Sequence, residues 1–167
     1  MPSARLPNWL LGGMVAALLM GCATTIPASL ARRVSWHVGF RDLHHDPTAY
    51  RGQVVALGGI VSQIEFLATN YRVAVREFPL DGSAMHRPAI KPPSGGIFLL
   101  RFAIGELPGN VQPGAEITVV GEVLGKGIFW GYGEAEEVPL LAPQHIHVWG
   151  ASWRPRIQIG LGGSFSP

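Results

Sequence analysis

Read by the spacing of its apolar positions, the chain is one short apolar run followed by strand-like segments set between glycines and prolines. The clearest pattern is NYRVAVREFPL, Asn70–Leu80, where Tyr71, Val73 and Val75 alternate with Arg72, Ala74 and Arg76. Successive side chains of a strand point to opposite faces, so this period of two predicts one buried and one wet face. QVVALGGIVSQIEF, Gln53–Phe66, predicts a longer strand with a bulge or sharp bend at Gly58-Gly59. IFLLRFA, Ile97–Ala103, is a continuous apolar run of strand length and predicts a buried strand. Ala115–Gly125 predicts the next strand, and EEVPLLAPQHIHVWG, Glu136–Gly150, closes the domain. DGSAMHRPAIKPPSGG and ELPGNVQPG read as loop and turn. Phe40 and Leu43, three apart, suit one helical turn, which Pro47 ends.

Two of these segments echo each other. GQVVALGGIV from Gly52 and GAEITVVGEV from Gly114 match at Gly52/Gly114, Val55/Ile117, Leu57/Val119, Gly59/Gly121 and Val61/Val123. Glycine inside a strand lets it bend around a small closed core. Strands one and four of five-stranded OB-type barrels look like this. The expected fold is therefore all-β: a small closed or partly open antiparallel barrel, OB-fold-like, of about five to six strands. An antiparallel sandwich is the alternative.

The apolar run is WLLGGMVAALLM, Trp9–Met20, preceded by a segment whose only charged side chain is Arg5. It is shorter than the roughly 20 residues of a membrane-spanning helix and has the proportions of a secretory leader. It ends in Leu19-Met20-Gly21-Cys22, which resembles a bacterial lipobox: an aliphatic residue three before the cysteine and a small one just before it. Cys22 is the only cysteine of the 167 residues. A thiolate is the nucleophile such a modification needs. The lipobox resemblance implies a diacylglyceryl group on Cys22, cleavage before it, and acylation of the new amino terminus. Residues 1–21 are then a lipoprotein signal peptide, and residues 22–39, in which ATTIPASLARR follows the cysteine, a lipid-anchored tether outside the fold. Residues 40–150 form the domain, and residues 151–167 a glycine-rich tail with a candidate edge strand at Arg156–Leu161.

Composition narrows the function. Glycine (22) and proline (14) are too frequent for long helices, and an apolar share of 47% is too high for disorder. A lone cysteine forms no disulfide framework, so the core alone must hold the domain. Without Arg5 the chain carries 12 basic side chains against 11 acidic, and Arg32-Arg33 is its longest basic run. Nucleic acid is not an expected partner.

Taken in order, the lipobox, DPTAYRGQVVALGGIV, VREFPLD, ITVVGEVLG and EEVPLLAPQHIHVWG resemble the Slp family, starvation-inducible outer membrane lipoproteins of Gram-negative bacteria. The residues carrying the resemblance include Pro47 and Tyr50 before Gly52, Phe78-Pro79-Leu80-Asp81 after the second strand, and Ile146-His147-Val148-Trp149 at the end. It covers about Phe40–Gly150 and departs in the tail, where the family often has many aromatics and this chain has Trp153 and Phe165. The resemblance implies an outer membrane lipoprotein on the periplasmic face, with no catalytic residue or cofactor to carry over. Ala23, Thr24 and Thr25 after the cysteine are uncharged, which the same resemblance links to export to the outer membrane.

Other chemistry is thinner. His145 and His147 share a strand face, and His44 and His45 precede Asp46, so together they make the alternative reading of a metal-binding periplasmic protein. Solvated loop and strand histidines are the ordinary reading of such spacing, and no metal site is expected. Glu134, Glu136 and Glu137 read as an exposed turn. Gly125-Lys126-Gly127 reads as another turn, and Phe129, Trp130 and Tyr132 as a binding lip or as packing. No serine–histidine–aspartate order, phosphate loop or nucleophile elbow occurs, and the expected role is non-enzymatic.

Overall fold

A computed structural model describes residues 24–131 and 133–151. Five strands close into a barrel: β1 (Val54–Phe66), β2 (Asn70–Glu77), β3 (Ile97–Ala103), β4 (Ala115–Gly131) and β5 (Glu134–Ala151). Their order around the ring is β1-β2-β3-β5-β4. Four contacts are antiparallel, whereas β3 and β5 pair in parallel at Leu99↔Leu140 and Leu100↔Leu141. The expected barrel is present, but it is mixed rather than antiparallel. Five strands in a closed ring cannot alternate in direction all the way round, so one neighbouring pair must run parallel.

The echoing segments turn out to be partners. β1 and β4 pair antiparallel with Leu57 opposite Val119, Val55 opposite Gly121 and Gly59 opposite Ile117. The repeat is therefore wrapped about a local two-fold axis through the Leu57–Val119 pair. Its start is symmetric too. Gly52 and Gly114 have φ of +82° and +86°, a conformation in which a Cβ is penalised. Gly52 N–H donates to the Val123 carbonyl and Gly114 N–H to the Val61 carbonyl, both at 2.8 Å.

The inward rows make one core: Val55, Leu57 and Val61 from β1, Val73 and Val75 from β2, Phe98, Leu100 and Phe102 from β3, with Ile117, Val119, Val123 and Leu141 from β4 and β5. At one end the barrel is plugged by helix α2 (Phe40–His45), whose Phe40 and Leu43 are buried. The Phe40 ring stands 6.3 Å from that of Phe98. Asp42, in the first turn of α2, accepts from the Gly39 N–H at 2.9 Å, and Asp46 Oδ1 caps the following 3-10 turn at Thr48 N. The other end is closed by the β3–β4 connection through Val111 and Leu107.

Two features depart from the expected layout. The segment expected as a tether is packed against the outer wall from Thr25 onward. Helix α1 (Ala28–Ala31) lies between Ile26 and Val34. Ile26 and Val34 bury themselves on the outward-facing Val54 and Val120. Val34 also bridges Val54 in parallel, and Ser35 N–H donates to the Val54 carbonyl at 2.8 Å. The second difference is the reach of the β4–β5 hairpin. Gly125-Lys126-Gly127, expected as a turn, continues β4, with the register shifting between Val123 and Gly125. Glu134, Glu136 and Glu137, expected in a turn, lie on β5 opposite Gly131, Phe129 and Ile128. The extended hairpin covers the outer face of β2 and β3, where Ala74, Leu99 and Val138 are buried with Phe129 and Leu140 against them. Arg72 Nη1 ties it down at the Ile128 carbonyl, 3.0 Å away.

Candidate functional site

Cys22, the lipidation candidate, lies outside the described residues, and so do Arg156–Leu161 and Tyr132. Three residues after the cysteine the chain attaches to the barrel. Thr25 is buried, and its carbonyl lies 2.8 Å from His145 Nε2 on β5. Ile26 is 2% exposed beside Val120, the residue paired with His145. The chain is thus fixed to the β1–β4–β5 wall almost at once after position 22.

That wall carries a connected aromatic patch. Trp36 Nε1 donates to the Ala31 carbonyl at 3.1 Å, and its ring stacks on His86 at 4.8 Å. The His86 carbonyl accepts from Thr118 Oγ1 at 2.7 Å, and the same hydroxyl accepts from Trp149 Nε1 at 2.9 Å. Trp149 in turn meets His147 edge-on at 4.3 Å and lies under the Arg87 guanidinium at 5.4 Å. Arg87 grips the buried Glu116 carboxylate at 2.7 and 3.1 Å, the bidentate geometry that suits a guanidinium and a carboxylate. This pairing raises the Arg87 pKa further, through the hydrogen bond first and the charge second. That His145 and His147 share one face was legible from their spacing; that the face is the outer one is set by the barrel. Their connection to Trp36 and His86 was not legible, because those residues come from two distant loops.

The four histidines do not form one site. His145 is engaged with Thr25 and His147 with Trp149. His44 stacks on Phe40 at 5.5 Å, and with His45 it lines an open cleft beside α2 that includes Asp42 and Asp46. Those carboxylates are turned to the backbone of Gly39 and Thr48, and the Thr48 contacts hold the Asp46 carboxyl below the usual range. Among the described residues no three histidine, cysteine, aspartate or glutamate side chains are grouped to hold a metal. The metal reading built on His44, His45, His145 and His147 is therefore not supported by where these residues lie.

One acid escaped the sequence reading. Glu77 ends β2 on the same parity as Tyr71, Val73 and Val75, so the alternation that buries those residues buries it too. It is 7% exposed, and Oε2 accepts from the Gly95 N–H at 3.1 Å. Burial raises its pKa, and the Gly95 hydrogen bond partly opposes this. It lines two cavities that share Phe40 in their walls, one of about 360 Å³ with Trp36, Leu80 and His86, the other of about 510 Å³ with Arg41 and Pro93. The expected aromatic lip is divided: Phe129 is packing for the hairpin, while Trp130 is 63% exposed at its end.

No match is found among curated proteins or among solved structures. A family model described as the outer membrane lipoprotein Slp family matches residues 19–159, a span that takes in Cys22, the docked segment and all five strands. The chain belongs to the outer membrane lipoprotein Slp family.

Proposed function

We propose that the protein is held on the periplasmic face of the outer membrane by acyl chains on Cys22, and that it acts there by binding or by structural support rather than by catalysis. The observation that carries this reading is the sequence Leu19-Met20-Gly21-Cys22 at the end of a leader-like run, directly before a segment that docks on the barrel. Multiple acyl chains anchor a protein stably where one gives marginal binding. Among the described residues no helix is long and apolar enough to cross a membrane. A role in starvation or stress follows from the Slp resemblance, and the near balance of charge speaks against a polyanion as partner.

The test is the mass of the amino-terminal peptide of mature protein, with separation of inner and outer membranes on a density gradient. Acylated Cys22 and outer membrane residence are expected. Cys22→Ala protein should lack acyl chains and be left uncleaved or soluble in the periplasm. Wild-type protein in the inner membrane, or an unmodified Cys22, refutes the proposal.

A further inference from the structure

We propose that the β1–β4–β5 wall, with the docked segment 25–36 on it, lies flat on the phospholipid headgroups, leaving the tip of the β4–β5 hairpin facing away from the membrane. This inference rests on the Cys22 anchor proposed above. The argument begins with length. A free tether over residues 22–39 would reach about 60 Å at full extension, enough for the barrel to tumble at a distance. Docking changes the geometry, since Thr25 and Ile26 are already buried on the wall. From Cys22 to Thr25 the chain spans at most about 11 Å. The wall that holds Thr25 must therefore stay next to the bilayer that holds the acyl chains.

The surface on that wall suits the position. Trp36 is 50% exposed and Met85 43% exposed, beside the half-buried His86, His147 and Trp149. Tryptophan favours the headgroup level, where an apolar ring and a polar N–H both find partners. Arg32 and Arg33 are exposed on the same docked segment, and neither forms an ion pair among the described residues. Both are therefore free to meet lipid phosphates.

The opposite wall is built differently. In the ring order β1-β2-β3-β5-β4, the β1–β4 seam stands across from β3, and the hairpin lies on the outer face of β2 and β3. The groove it forms with β1 and β2, about 760 Å³, is lined by Gln63, Arg76, Phe129, Glu134 and Glu136. Its two carboxylates outnumber Arg76, whereas on the β1–β4–β5 wall Glu116 is taken by Arg87 and Glu122 is outnumbered by Arg32 and Arg33. Trp130, 63% exposed on this hairpin, serves as an internal reference on the far side.

The experiment uses full-length mature lipidated protein in phosphatidylcholine–phosphatidylglycerol vesicles containing lipids brominated near the headgroup. Two forms are compared, one keeping only Trp36 and the other only Trp130, with the remaining tryptophans changed to phenylalanine. Bromolipid should quench Trp36 several-fold more than Trp130. Arg32→Glu with Arg33→Glu should reduce the Trp36 quenching on these anionic vesicles. A flexible insert of about 12 residues after Ala23 should bring the two tryptophans closer to parity, by restoring the tether. Protein that floats with the vesicles but quenches equally at both positions, or more at Trp130, overturns the orientation and leaves the anchor standing. Mature wild-type protein found to carry no acyl chains, or Cys22→Ala protein without its leader that still floats with the vesicles, overturns the anchor, and the orientation with it.

Discussion

Gly59 is the position where the barrel tolerates a side chain least. A Cβ there would press on the backbone carbonyl of Arg76 in β2 and come within 2.8 Å of Val75 Cγ1. Neither contact is the free end of a flexible side chain. Gly59 is also paired on both sides, to Glu77 of β2 and Ile117 of β4, so β1 cannot back away from one neighbour without pressing on the other. Overpacking of this kind costs about 1–3 kcal/mol, and two fixed ladders put Gly59→Ala at the upper end. Replacing glycine also restricts the unfolded chain, which returns about 0.4–1 kcal/mol. The net expectation is a loss of about 2 kcal/mol, or roughly 6–10 °C in Tm for a domain of this size. Gly121, the matching residue of the repeat, is the control. Its Cβ would meet the Ala142 carbonyl at 2.9 Å, beside a register shift that gives the strand slack. There the steric cost is about 1 kcal/mol and nearly cancels the unfolded-state gain. Thermal unfolding of soluble protein carrying Cys22→Ala, followed by far-ultraviolet circular dichroism, compares the two. Equal melting of Gly59→Ala and wild type, or a larger loss at Gly121, would refute this account of the β1–β2 contact.

Three further outcomes follow from the same structure. Burial holds the folded pKa of Glu77 above its unfolded value, so the folded state binds the extra proton; stability from this group is full below about pH 4.3 and is lost as pH rises toward the folded pKa. Glu77→Gln keeps an acceptor for Gly95 and should melt above wild type at pH 7, the gap closing on acidification; a lower-melting variant at pH 7 contradicts this. Leu43→Ala should remove the fully buried plug residue of α2 and cost about 2–5 kcal/mol in a denaturant titration; a loss below 1 kcal/mol would mean that α2 does not close the barrel. Ile26→Asp should release the docked segment and expose the backbone around Thr25 to hydrogen exchange while the β1–β2 ladder stays protected; unchanged exchange there would show that the segment is not held by Ile26.

The strands that were legible in the sequence are those whose burial is decided by their own periodicity. The alternation through Tyr71–Arg76, the apolar run Ile97–Ala103 and the glycine echo at Gly52 and Gly114 each state a local preference, and each appears at the expected place. The same alternation, carried two residues further, marks Glu77 as buried. That His145 and His147 share a face is likewise a local property of a strand. The rest depended on partners distant in sequence. Gly125-Lys126-Gly127 reads as a turn because its glycines lack β-propensity, and it becomes strand because β5 and the Ala74–Leu99 surface receive it. In residues 25–38 apolar residues recur at every fourth position, Ile26, Leu30, Val34 and Val38, yet within that span the helix is only Ala28–Ala31; Ile26 and Val34 are buried because Val54 and Val120 face outward together. The parallel β3–β5 contact is imposed by closing a ring of five, a condition that no segment of the chain contains by itself. Local periodicity thus determined which residues form strands, and closure of the barrel decided which outer surfaces needed cover, what covered them, and how near the chain stays to Cys22.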